Sequence, residues 1–210
     1  MRRRWIVAIA VLVILVIASV FTATTFAPET SEVGEGAGSD ALACVTNTAG
    51  DCLQMPVVSG IDVNSEPVSY PDDFDAPYQL VAMPFDQEQQ VEAITWYELF
   101  QDLADDDARV DYWSIAALPE LNAAIRLLVI GGIRAGVNDP DVQARIAILF
   151  LEDQASFLDA LDVPNTDTIR AYIMDDEGTV YYVAEGAYTE ASGEAFSEAL
   201  AQLLGSDADD

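Results

Sequence analysis

Hydrophobic and polar positions fall into three regimes along the chain. From Trp5 to Phe26 they are not mixed at all: 22 residues carry no charge, Arg2, Arg3 and Arg4 precede them, and the next charge is Glu29. As a helix this run is about 33 Å long, enough to cross a hydrocarbon core of about 30 Å. The arginines on its N-terminal side predict a single-pass anchor over residues 1–27, N-terminus inside and C-terminus outside. A cleaved signal peptide is the competing reading. Thr25 and Pro28 fit poorly around a cut after Ala27, and the run exceeds the usual apolar core of about 7–15 residues. Either way the remainder is expected outside the cytoplasm, on its periplasmic or extracellular face.

Residues 28–54 form the second regime. PETSEVGEGAGSD is rich in Gly, Ser and acids and lacks aromatics, which predicts a flexible acidic tether. Both cysteines of the chain, Cys44 and Cys52, fall within it.

Residues 55–205 are the third regime, where apolar positions become periodic. PVVSGIDV and EPVSYP read as two short strands joined at Asn64-Ser65. YQLVAMPF (78–85) reads as a buried strand, and a helix opened by Asp86 is expected to run to about Leu103. VDYWSIA (110–116) is the next strand. A helix over Leu118–Ile133 is expected to bury Leu121, Ile125, Leu128 and Val129, with Gly131, Gly132 and Gly136 closing it. RIAILFL (145–151) is a third buried strand, followed by a short helix from Asp153 to Leu161. TIRAYIM and TVYYVAEG flank the turn Asp175-Asp176-Glu177-Gly178 as a hairpin. Thr189 caps a last amphipathic helix through Leu204, and an acidic tail (206–210) follows. Strands alternating with crossover helices imply an α/β domain, a mixed sheet with helices on both faces.

Charge narrows the partners. From Gln54 onward five arginines face 32 carboxylates, a net of −27. Nucleic acid is excluded as a partner, because phosphate contacts need cationic surface. The expected partners are the membrane, through residues 5–26, and a protein complex of the membrane or envelope.

Chemistry narrows them further. The chain has no His and no Lys, and no Cys after Cys52. Thiol nucleophiles, imidazole bases, Schiff-base lysines and the usual zinc ligands are therefore missing from the periodic region. No metal and no cofactor is expected. Cys44 and Cys52 are spaced C-x7-C, not C-x-x-C, with no basic neighbour to lower a thiol pKa. A loop-closing disulfide is the reading this spacing favours over redox chemistry. Among so many acids the arginines are informative. Arg134 and Arg145 lie in and after GGIRAGVNDP, where Asp139 precedes Pro140 at a plausible helix start. Gly131, Gly132, Arg134, Gly136, Asp139 and Arg145 are the candidate binding residues. Arg could hold a partner's carboxylate bidentately, against the plainer reading of internal salt bridges.

The strand pair in SGIDVNSEPVSYPDDF, the strand YQLVAMPF feeding a helix, and the hairpin TIRAYIMDDEGTVYYVAEGAY together resemble the thioredoxin-like superfamily. The layout is that of its peroxiredoxin and membrane-anchored thiol-oxidoreductase branch. GGIRAGVNDPDVQARIAILF is similar to the mitochondrial ATP synthase assembly-factor subgroup and its bacterial relatives. The resemblance implies a thioredoxin-like domain, and for that subgroup an assembly role in which the redox site is dispensable. It also exposes two departures. Where the redox families carry a cysteine, this chain has Phe85-Asp86-Gln87-Glu88-Gln89-Gln90. Where they carry a cis-proline it has Asp167 or a neighbour, with Pro164 three residues earlier. The expectation is a binding or assembly protein without a redox site. The alternative is a thiol–disulfide oxidoreductase or peroxiredoxin-like enzyme using Cys44 and Cys52.

Overall fold

The computed structural model describes residues 42–137 and 139–206; the expected anchor, the first part of the tether, Asn138 and residues 207–210 lie outside them. β3 (Tyr78–Met83) is buried at every position. β4 (Val110–Pro119) and β5 (Ile146–Leu151) extend it as a parallel sheet. Such double-sided burial suits continuous apolar strands. β6 (Arg170–Asp175) and β7 (Val180–Glu185) add an antiparallel hairpin to the other edge of β3. β1 (Val58–Asp62) and β2 (Pro67–Tyr70) pair antiparallel, and β1 lies against β5. The strand order is β2-β1-β5-β4-β3-β6-β7.

Successive side chains of a strand point to opposite faces, so the core divides in two layers. On one face lie α1 (Gln90–Ile94), α2 (Tyr97–Asp106), α3 (Ala123–Gly136) and α6 (Glu190–Ser206). Leu80, Ala82, Tyr112 and Ile173 meet Trp96, Phe100, Phe196 and Leu200 there, while Ala116, Leu118, Ile146 and Ile148 meet Val129, Ile130 and Ile133 of α3. The other face packs Val81, Met83, Ile115, Leu149 and Met174 against Phe157 and Leu161 around α5 (Gln154–Ala160), and against Met55, Tyr70 and Phe74.

Three expectations about the helices are corrected. The single helix from Asp86 to Leu103 is two, broken at Thr95-Trp96. The Thr95 hydroxyl donates to the Glu92 carbonyl at 2.6 Å and accepts from the Tyr188 N–H at 2.8 Å, while the buried Trp96 donates to the Gly186 carbonyl at 3.0 Å. Those bonds tie the break to the far end of the hairpin. The next helix starts at Ala123 instead of Leu118, because Leu118 and Pro119 remain paired with Phe150 and Leu151. Asn122 then caps it, accepting from the Ala124 and Ile125 N–H groups at 3.1 Å. Gly131 and Gly132 lie inside this helix, and Ile125 and Leu128 are exposed where burial was expected. A further short helix, α4 (Pro140–Gln143), precedes β5.

The end of the expected tether is built into the domain. The Val45 N–H donates to the Val180 carbonyl, the Val180 N–H to the Leu53 carbonyl, and the Met55 N–H to the Gly178 carbonyl, at 2.8–3.0 Å. Residues 45–55 thus form a rib along the start of β7, and the Cys44–Cys52 disulfide closes it with Cα atoms 5.6 Å apart. Gly178 takes φ +86° in the hairpin turn, against the Met55 side chain.

Candidate functional site

A carboxamide organises the turn that leads from the end of β3 into α1. Gln89 is 5% exposed. Its side chain accepts from the Phe85 N–H at 2.8 Å and donates to the Thr166 carbonyl at 2.6 Å. Its own N–H donates to the Asp86 carboxylate at 2.9 Å. Asp86 thus caps the turn ahead of α1, and Gln89 ties that turn to the segment entering β6. The exposed Asp167 N–H donates to the Asn165 side chain at 3.0 Å. The cis peptide among the described residues is Tyr70-Pro71, away from Asp167 and Pro164.

Beside this loop runs an open groove of about 380 Å³. It is lined by Phe85, Asp86 and Gln87 of the loop, Leu118 and Pro119 of β4, Leu121, Ile125 and Val129 in and before α3, and Gln154 and Thr166. Gln154 is fixed by donating to the Ala117 carbonyl at 2.9 Å. The lining is mostly apolar with a few polar groups, the composition of a binding cleft.

The two cysteines lie at the other end of the sheet. In the β3–β6 register Met83 pairs with Arg170 and Tyr78 with Asp175. The groove is at the Met83 end and the disulfide rib at the hairpin turn after Asp175. Six strand residues at about 3.3 Å each separate them by roughly 20 Å. The disulfide uses both thiols of the chain, so the groove has no sulfur nucleophile.

The arginine candidates separate. Arg145 is committed internally: it pairs with Asp111, and its guanidinium lies 5.3 Å and 5.5 Å from the Tyr112 and Trp113 ring centroids. Arg126 pairs with Glu120 and lies 4.6 Å over Phe150, and Arg170 pairs with Glu185. Arg134, on the exposed side of α3, donates to the Val63 carbonyl and has no carboxylate partner among the described residues. Gly131 and Gly136 of the same helix face open space, and Gly132 packs toward the Gln87 carboxamide. Asp139 caps α4, accepting from the Asp141 N–H at 2.9 Å. The candidate set therefore divides into an exposed α3 group and two structural residues, Asp139 and Arg145.

Sequence reading missed Gln89, and it missed a buried polar cluster beneath α1 and α2. The Tyr97 and Ser114 hydroxyls and the Gln90 carboxamide face one another there without completing hydrogen bonds. Burial pushes the Tyr97 phenol up to about 12, with Ser114 and Gln90 acting in the opposite sense. A phenol raised that far is a poorer acid–base group at neutral pH. Among the described residues no three His, Cys, Asp or Glu side chains converge on a metal site.

No protein-family model and no curated protein sequence matches the chain. Solved structures do. A candidate electron transport protein from Aquifex aeolicus VF5 is similar with a TM-score of 0.54 at 12% identity, over 73% of this chain and 98% of that one. BsSco, a member of the Sco family of cytochrome c oxidase assembly proteins, is similar with a TM-score of 0.51 at 12% identity, over 73% and 95%. Arabidopsis thaliana ScoI, solved with copper bound, has a TM-score of 0.50 at 11% identity, over 71% and 99%. The fold is thioredoxin-like. The loop Phe85–Gln90 and the residues before β6 are the two places the sequence resemblance had flagged, and Gln89 joins them.

Proposed function

We propose that this protein is a membrane-anchored, extracytoplasmic thioredoxin-fold binding protein that serves assembly of a membrane or envelope protein complex. The observation that carries the reading is the Gln89-braced, thiol-free loop beside an apolar groove. A scaffold position used elsewhere for chemistry is here a fixed wall of a binding cleft. The assembly role of the Sco family, to which BsSco belongs, supports the same reading at the level of the fold. Copper is not part of it. Soft thiolate and imidazole ligands hold copper, whereas this chain has no His and both its thiols are in a disulfide.

A second reading rests on that disulfide: Cys52 is exposed, and exchange could begin there by attack of an external thiolate. An insulin-reduction assay distinguishes the two. The binding reading expects no activity, unchanged by Cys44→Ser with Cys52→Ser; activity lost in the double variant establishes the enzyme. Capture from detergent-solubilised membranes tests the groove itself. The wild-type chain is expected to retain a defined protein set that Ile125→Asp loses, with Arg134→Ala as a comparison outside the groove. Identical recoveries from wild type and Ile125→Asp would remove the groove from consideration.

A further inference from the structure

The groove beside the Gln89-braced loop is apolar in its lining and acidic around it. Asp86 is its one ionised lining residue. One Asp86 oxygen accepts the Gln89 N–H at 2.9 Å, which leaves the other as an acceptor at the groove. The Gln154 amide nitrogen donates to the Ala117 carbonyl, and Pro119 has no N–H to offer. The lining is therefore richer in acceptors than in donors. Every lining position comes from residues 84–90, 117–129 or 152–168. Those three segments contain eight carboxylates and one basic residue, Arg126. Arg126 is already paired with Glu120 and lies over the Phe150 ring.

We propose that the client segment of this groove is cationic as well as apolar. Its aliphatic side chains seat against Leu118, Ile125 and Val129, and an adjacent lysine or arginine donates to the Asp86 carboxylate. The inference rests on the groove being the client site, and it names what that site selects. An acidic segment would meet like charge with no unpaired cation in the lining to offset it. A neutral apolar segment would cover Asp86 and leave its charge without a partner, which is costly. A cation removes that penalty and makes a charge-assisted hydrogen bond, stronger than a neutral one. The net charge of −29 draws cations toward the whole surface and speeds encounter. Apolar lining beside Asp86 then selects a segment that carries both features.

Surface plasmon resonance tests this, with a short peptide of alternating leucine and lysine immobilised and the full-length chain in nonionic detergent as analyte. Two further peptides carry glutamine for every lysine, or serine for every leucine. Asp86→Asn removes the charge but keeps the cap, because asparagine accepts the same N–H. Asp176→Asn removes an equal charge from the exposed hairpin turn at the other end of the sheet. The wild type is expected to bind the leucine–lysine peptide more tightly than either of the others. Asp86→Asn is expected to weaken that binding about fivefold, as for a well-placed surface ion pair. Its denaturation midpoint and its binding of the leucine–glutamine peptide are expected to be unchanged. Asp176→Asn is expected to change binding by less than about twofold, because its charge is screened over that distance. Ile125→Asp is expected to weaken binding although it adds negative charge. Equal losses in Asp86→Asn and Asp176→Asn overturn the proposal, as does an Ile125→Asp variant that binds as tightly as the wild type. So does a serine–lysine or leucine–glutamine peptide bound as tightly as the leucine–lysine one, or no binding by the wild type. Capture from membranes keeps the two ideas apart. If Ile125→Asp loses its clients and Asp86→Asn retains them all, the groove remains the client site and its preference for cations is refuted.

Discussion

The Gln89 carboxamide makes both of its bonds inside the protein, one to the Phe85 N–H and one to the Thr166 carbonyl. Replacing it with leucine keeps the bulk and orphans both partners. An unsatisfied buried polar group costs about 1–3 kcal/mol, so Gln89→Leu is expected to lower unfolding stability by about 2–3 kcal/mol and to loosen the groove wall. Chemical denaturation measures the first, and hydrogen exchange at the Phe85 amide the second. A loss below about 0.5 kcal/mol would mean that water replaces the side chain there, and that the loop is not braced as described. Nothing local marks this residue. A glutamine at the start of an amphipathic helix has the same pattern as a solvated one, and its decisive partner is 77 positions away. Leu128 was misread for a related reason. When a helix is apolar on two sides, periodicity cannot say which side meets the sheet, and the sheet takes Val129, Ile130 and Ile133.

At the scale of elements, strands with one continuous apolar run were legible: β3, β5 and the β6–β7 hairpin lie where their patterns put them. Helix ends were less so. The break at Thr95-Trp96 and the start at Ala123 are set by bonds to the hairpin and to β5, which are not local in sequence. The rib at 45–55 is the clearest case. Its composition is that of a linker, yet three backbone hydrogen bonds fix it to the start of β7 and a disulfide closes it on itself. In the chain-entropy model, closing so short a loop stabilises by roughly 2–3 kcal/mol. Cys44→Ser with Cys52→Ser is expected to lose about that much, read as a lower denaturation midpoint, with client capture at the groove unchanged. Loss of capture without loss of stability would place function at the disulfide instead of the far end of the sheet.

Over the whole molecule, the fold carries its ionisable phenols inside and its carboxylates outside, and this sets where it fails with pH. Of the chain's eight tyrosines, burial raises Tyr70, Tyr97, Tyr112, Tyr172 and Tyr182 above the ordinary phenol value. Nearby carboxylates add to the effect at Tyr70, Asp73 first among them. The folded pKa of each group therefore lies above its unfolded value of about 10. Stability from these groups is complete below pH 10 and falls as pH rises through 10 toward the raised values, because the unfolded chain then sheds protons that the folded one keeps. Each such group adds up to about 1.4 kcal/mol per pH unit to the slope. No lysine titrates in the same window, since the chain has none. The expected record is therefore simple. Absorbance at 295 nm should show these buried phenols ionising only as circular dichroism is lost. Repulsion within a chain of charge −29 offers a rival cause, and salt separates them. Screening by 1 M salt weakens repulsion but leaves burial untouched, so the alkaline transition should keep its slope in high salt. All eight tyrosines titrating near pH 10 on a folded protein would contradict this packing of the core.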